Sequence, residues 1–270
     1  MPEVWFVTGS SRGFGRRFVE SALARGDEVA ATARNIDSLA DLVDEYGDAI
    51  LPLPLDVTDR AAVTETVKRA AEHFGRLDVV VNNAGFGLFG AVEELAEQAV
   101  REQFETNVFG ALWVTQAVLP YLREQGSGHI VQISSAGGVV SFPLLGGYHA
   151  SKYALEGFSE SLAQEVAGFG ISVTIVEPGG FATDWAGSSA TFSAPEPAYD
   201  GVRAAVAGIE IKQLDPATIG PALLKIVDAE QPPLRVVLGS QPYDAIRGIY
   251  AARLQTWADW SALTTEVEGR

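Results

Sequence analysis

The chain has 270 residues, 47% hydrophobic and 20% charged, enough for one well-cored globular domain. It has no cysteine, which excludes disulfides, a thiol nucleophile and a thiolate metal site. Its net charge of −16 opposes binding to nucleic acid or to an anionic membrane, so any anion site must be built locally from backbone N–H groups and a few arginines. His73, His129 and His149 show neither i,i+4 pairing nor clustering with carboxylates, and no metal site is expected. No apolar run approaches the ~18 residues of a membrane span, and no basic leader with a long apolar core precedes the first strand; a cytoplasmic location is expected.

Val4-Trp5-Phe6-Val7 is a short continuous apolar run, the pattern of a central parallel strand. It leads into Thr8-Gly9-Ser10-Ser11-Arg12-Gly13-Phe14-Gly15 and then a helical pattern with Phe18, Val19, Ala22 and Leu23. A strand, a glycine-rich turn and a helix start make a phosphate cradle: glycines let the backbone approach a pyrophosphate, and the free N–H groups of the helix bind it. The spacing is Gly-x3-Gly-x-Gly rather than Gly-x-Gly-x-x-Gly, and no Gly-Lys-Ser/Thr follows to make a Walker loop. Taken alone, the turn could be only a tight strand-to-helix connection.

The second strand, Val29 to Thr32, ends at Ala33-Arg34-Asn35. An NAD site places an acid there for the ribose 2′-hydroxyl, whereas an NADP site places an arginine. Arg34 is present and the acid is missing, and Arg12 offers a second positive charge. The alternation continues with a strand from Ala49 to Pro54, a helix from about Asp59, a strand from Leu77 to Val81, and a long helix from about Glu97 to Leu122. A strand from His129 to Ile133, a helix through Tyr148 to about Ala167 and a strand from Ile171 to Val176 follow. This order predicts an α/β fold: a doubly wound, Rossmann-type parallel sheet with helices on both faces, in a single domain. Residues 181–213 break the rhythm with Gly, Ser and Pro around Trp185, Phe192 and Tyr199, and are a candidate substrate lid. A last helix from about Ala217, a strand from Arg235 to Leu238 and a tail with Trp257 and Trp260 complete the chain.

Tyr148 and Lys152 are four residues apart on a predicted helix, hence on one face. A phenol titrates near ~10, and a cation at roughly 4 Å favours its ionised form by about 4 kcal/mol at an effective dielectric of ~20. Burial acts in the opposite direction. Such tuning serves a general acid–base, although a surface tyrosine packed along a lysine stem has the same spacing.

With these motifs in order, the chain resembles the short-chain dehydrogenase/reductase family in its compact form. The resemblance runs from Thr8-Gly-x3-Gly-x-Gly15 through Asp56, Asn82-Asn83-Ala84-Gly85, Asn107, Ser134-Ser135 and Tyr148-x3-Lys152 to Pro178-Gly179-x3-Thr183. It covers residues 4 to about 185, and the remainder matches in layout only.

The resemblance implies a catalytic set of Asn107, Ser135, Tyr148 and Lys152. Tyr148 would be the general acid or base; Lys152 would lower its pKa and hold the nicotinamide ribose. Ser135 would polarise the substrate oxygen, and Asn107 would anchor a water relaying protons to Lys152. Cofactor contacts are implied for Gly9, Ser11, Arg12, Gly13, Phe14, Gly15 and Arg34. They are likewise implied for Asp56 at the adenine, Asn83 at the adenosine ribose, the backbone near Phe181 with Thr183 at the nicotinamide carboxamide, and for Val57, Ala84, Gly85, Tyr148, Lys152, Pro178 and Gly179. Phe181 departs from the branched aliphatic common there and narrows that side of the pocket.

The expected function is therefore an NADP(H)-dependent oxidoreductase interconverting a ketone or aldehyde and an alcohol. Phe89, Phe142, Leu144, Leu145 and the lid aromatics point to an apolar or aromatic small molecule, and the family's habit points to a homo-oligomer. The alternatives are a catalytically silent dinucleotide sensor or scaffold, which has no need of all four catalytic residues, and a methyltransferase, whose glycine loop leaves Asn82–Gly85 and the tyrosine–lysine pair unexplained.

Overall fold

The apolar runs become strands covered on both faces, because each alternate residue finds a different layer of helices. In the computed structural model, which describes residues 2–268, β1 (Val4–Val7) turns Val4 and Phe6 to one layer and Trp5 and Val7 to the other. β2 (Glu28–Ala33), β3 (Ile50–Pro54), β4 (Val79–Asn82), β6 (Gly128–Ile133), β7 (Ile171–Pro178) and β9 (Arg235–Leu238) join β1 in a seven-stranded parallel sheet of order β3-β2-β1-β4-β6-β7-β9.

One face of the sheet is packed by α1 (Gly13–Arg25), α2 (Ala40–Tyr46) and α8 (Ile219–Val227) through Phe18, Val19, Leu42, Ile219 and Leu223. The other is packed by α3 (Arg60–Phe74), α5 (Ala111–Gln125) and α6 (Gly146–Val166) through Val63, Val67, Val114, Val118 and Leu162. Helix ends are fixed by local chemistry. The Asp59 carboxylate accepts the N–H groups of Ala61 and Ala62 at 2.9 and 3.0 Å, and Gly75 closes α3 at φ +78°, where a side chain would be strained. The strand order reverses between β1 and β4, which opens a crevice at the carboxyl ends of the strands.

Four elements differ from the sequence reading. The long helix is two: α4 (Glu97–Phe104) passes through a π-helical turn, Glu105–Gly110, into α5. Space explains the need for Gly110, since a Cβ there would lie 2.6 Å from a methyl of Val57. α2 was not anticipated. The segment 181–213 has its own structure, with α7 (Asp200–Ala207) and a two-residue strand, β8 (Thr191–Phe192), that pairs in parallel with β5 (Leu88–Phe89). Finally, the tail is helical, as α9 (Ser240–Asp259) and α10 (Ser261–Glu266), and neither helix buries a residue. No helix among the described residues is long and apolar enough to cross a membrane.

Candidate active site

The glycine turn between β1 and α1 is shaped by close approach. A Cβ on Gly15 would lie 2.2 Å from the Gly9 carbonyl oxygen and 2.5 Å from Asn83 Nδ2. Gly9 and Gly13 take φ of +69° and +57°. Asn83 locks this turn to the end of β4 by donating to the carbonyls of Thr8 and Gly9 at 2.9 and 3.1 Å. The Thr8 hydroxyl in turn accepts the N–H groups of Asn83 and Ala84 at 2.9 and 3.1 Å. No side chain caps the start of α1, so its first N–H groups remain open to an anion. Phe14 meets Phe181 edge-on at 4.9 Å, joining the turn to the segment after β7.

Arg34 is exposed at the end of β2 and its side chain makes no hydrogen bond or ion pair among the described residues. Arg12, by contrast, is engaged by Asp184 at 3.3 Å and by the Ser188 hydroxyl at 3.2 Å. With Ser11, Gly13, Arg16, Thr183 and Asp184 it lines a surface cleft beside the turn. Asp56 folds back on Thr58 at the end of β3, and Val57 packs on Gly110. Pro178 ends β7, Gly179 fits against Pro242, and the Thr183 hydroxyl caps the Asp184–Ala186 turn. The cradle, the open helix end and a free arginine beside β2 together fit a dinucleotide carrying phosphate groups.

The proton-transfer candidates converge at the start of α6. Tyr148 is 6% exposed and its hydroxyl faces the side chain of Ser135, whose Oγ accepts the Gly137 N–H at 3.0 Å. Burial pushes the Tyr148 phenol up to about 12, with the Ser135 side chain acting the other way. Lys152 Nζ lies 5.9 Å from the Tyr148 ring centre and donates to the Ile133 carbonyl at 2.8 Å. Burial brings its ammonium down to about 8, opposed by the charge of Glu156. Of the two opposing influences on the phenol, burial is the stronger. At neutral pH the pair therefore stands as phenol and ammonium, the state needed to give a proton away.

Asn107 sits within the π-helical turn, a form often found at functional sites. Its Oδ1 accepts the Phe86 N–H at 3.0 Å, and its Nδ2 donates to the Phe86 carbonyl and the Ser151 hydroxyl at 3.0 and 3.1 Å. A Cβ at Gly85 would lie 3.0 Å from Asn107 Oδ1 and 3.7 Å from Lys152 Nζ, so Gly85 keeps a small polar space between them.

Above Tyr148 stand aromatics that the sequence places in the lid and pocket, but whose mutual contacts no spacing reveals. The Trp185 indole meets the Tyr148 ring edge-on at 4.9 Å and leans on Phe89 at 5.2 Å, while Phe192 stacks on Phe89 at 5.0 Å. Gly87 admits the indole, since a Cβ there would lie 2.7 Å from Trp185 Cζ2. Leu144 takes φ +67°, a conformation that costs a non-glycine residue on the order of 1–3 kcal/mol. It is held there by the Gly90 N–H donating to its carbonyl at 2.9 Å. Phe142 is 41% exposed beside His149.

The short chain dehydrogenase family profile matches residues 3–193. The chain belongs to that family. The oxidoreductase BOA17 of Botryotinia fuckeliana is 45% identical over 247 residues, covering 88% of this chain and 89% of the relative. A solved short-chain dehydrogenase from Streptomyces avermitilis superposes with a TM-score of 0.91 at 41% identity, covering 98% of this chain and 99% of that one. Another, from Burkholderia cenocepacia J2315 in complex with NADP, gives 0.78 at 25% identity over 96% and 97% of the two chains. This short-chain dehydrogenase is an oxidoreductase with a Rossmann-like fold.

Proposed function

We propose that this protein is an NADP(H)-dependent oxidoreductase interconverting an apolar or aromatic ketone or aldehyde and the corresponding alcohol. The observation that carries the reading is the buried Tyr148 hydroxyl facing Ser135, with Lys152 on the same helical face. A bound nicotinamide supplies or accepts the hydride. Ser135 orients the substrate oxygen beside the phenol, and Tyr148 gives that oxygen its proton as the carbonyl is reduced. Lys152 keeps a positive charge near the phenolate that results, which lowers the cost of forming it in a buried site. Asn107 holds a water in the space beside Gly85, through which the proton is replaced by way of Lys152.

The unengaged Arg34 supports NADP over NAD, because a guanidinium at this position meets a 2′-phosphate and an acid there would repel it. Depletion of NADPH absorbance with a panel of carbonyl compounds tests the reading; no turnover with any ketone or aldehyde, despite tight NADPH binding, would favour a sensor instead. We read the chain as one domain and a homo-oligomer in solution, and place the other cofactor contacts at the residues named above.

The segment 181–213 acts as a lid in this reading, with Trp185, Phe89 and Phe192 forming the wall that meets the substrate. Trp185→Ala is expected to lower kcat/KM more for bulky apolar ketones than for small ones, since burying a large side chain contributes roughly 1.5–3 kcal/mol. Hydrogen exchange should show residues 185–210 becoming protected on adding NADPH and a bulky ketone. Uniformly strong protection in every state would show a fixed wall.

A further inference from the structure

One turn beyond Lys152 on α6 is a carboxylate that the chemistry above leaves unused. Glu156 is 4% exposed, and Glu177, near the end of β7, is 2% exposed. Arg235 of β9 reaches both, with Nη2 at 2.8 Å from Glu156 and Nε at 3.2 Å from Glu177, and it meets the exposed Glu160 at 2.7 Å. Three carboxylates thus share one guanidinium. Burial, then the charge of Glu156, raises Glu177 to about 7, and burial also raises Glu156. Glu156 Oε1 faces the Ser134 hydroxyl without closing a well-formed hydrogen bond. Gly138 leaves them room, for a Cβ there would lie 2.4 Å from Ser134 Oγ and 2.8 Å from Glu156 Oε1.

As a source of stability this cluster is a poor choice, because apolar residues of similar volume do as well or better than a buried ion group. Its position suggests another use. Lys152 is buried and makes no ion pair among the described residues; its hydrogen bond is to the Ile133 carbonyl. Tyr148 and Glu156, each four positions from it, share its buried face of α6, while Asn107 faces it from the π-helical turn and Gly85 from the loop after β4. Of these, Glu156 alone carries charge. Around Glu156 stand Lys152 and Glu160 on α6, Glu177 on β7, Arg235 on β9 and the Ser134 hydroxyl after β6.

We propose that Glu156 is a positioning residue of the reaction: a buried anion, fixed by Arg235, that keeps the Lys152 ammonium charged where water cannot. The proposal rests on the assignment of Tyr148 and Lys152 to proton transfer. Without the anion, Lys152 surrenders its proton at lower pH, and the phenolate formed at Tyr148 then faces a neutral amine.

The test is the pH profile of carbonyl reduction by the full chain with saturating NADPH, from about pH 6 to 10. In the wild type kcat/KM falls on the alkaline side as Lys152 loses its charge. Glu156→Gln is expected to move that fall to lower pH by about one unit, the scale of losing one nearby opposite charge. Activity at the acidic end should remain close to that of the wild type. Glu156→Asp keeps the anion and should leave the fall in place. If the Gln variant does not fold, Glu156→Gln combined with Arg235→Met and Glu177→Gln removes the guanidinium and both buried carboxylates together, and should show the same displacement. An unmoved profile, or one lowered equally at every pH, would overturn the proposal and leave Glu156 a structural residue. Turnover retained by Tyr148→Phe would instead remove the assignment on which the proposal stands.

Discussion

Tyr148→Phe is expected to lower turnover by at least ~10²-fold while leaving NADPH affinity nearly unchanged, because it removes the transferable proton and keeps the ring. The ring also holds Trp185 at 4.9 Å and fills the start of α6, so the substitution leaves that packing in place. Burial that raises the phenol to about 12 makes Tyr148 a proton donor in its resting state throughout the working range of pH. Its acidity must come from the field it meets as charge develops, and the nearest cation is Lys152. Steady-state kinetics together with a binding titration of NADPH check the prediction. Wild-type turnover in the Phe variant would mean that another group is the acid.

Arg34→Asp is expected to abolish or reverse a preference for NADPH over NADH. In the wild type that preference should amount to about 10- to 150-fold in dissociation constant, the scale of one charge-assisted contact of ~1.5–3 kcal/mol. Arg34 has no partner to lose among the described residues, so the substitution should leave stability close to that of the wild type. The same is not true of Arg12, for which a phosphate has to compete with Asp184. Equal dissociation constants for the two cofactors in the wild type would sink the idea.

The sheet was legible because each strand is a continuous apolar run between turn residues, and seven such runs alternate with helical patterns. The meeting of Tyr148, Lys152, Ser135 and Asn107 was legible through spacing and resemblance, and the structure does bring these four residues to one place. What could not be read depends on contacts between distant segments. The apolar periodicity runs unbroken through residues 97–122 and gives no sign of the π-helical turn at Glu105–Gly110, where Gly110 packs against Val57. β5 and β8 are too short for any pattern to reveal. Trp185 reaches Tyr148 only because Gly87 makes way for it. The helical tail is at most half-buried, along Pro242, Ala245, Ile246 and Ile249, so its apolar stripe is short and weak in the sequence.

The β5–β8 pairing joins residues about a hundred positions apart in sequence, with β6 and β7 formed in between. A contact so distant is entropically slow to close, and two residue pairs offer little return for closing it early. The sheet also needs distant closures, since β1 pairs with β4 across about 74 positions, but each of them gains three or more residue pairs and covering helices. The protein is therefore expected to become a folded body before it becomes a finished site, with the aromatic roof over Tyr148 the last part to arrive. After dilution from denaturant, recovery of the far-ultraviolet dichroism should run ahead of recovery of activity; simultaneous recovery would show that roof and sheet form as one cooperative unit.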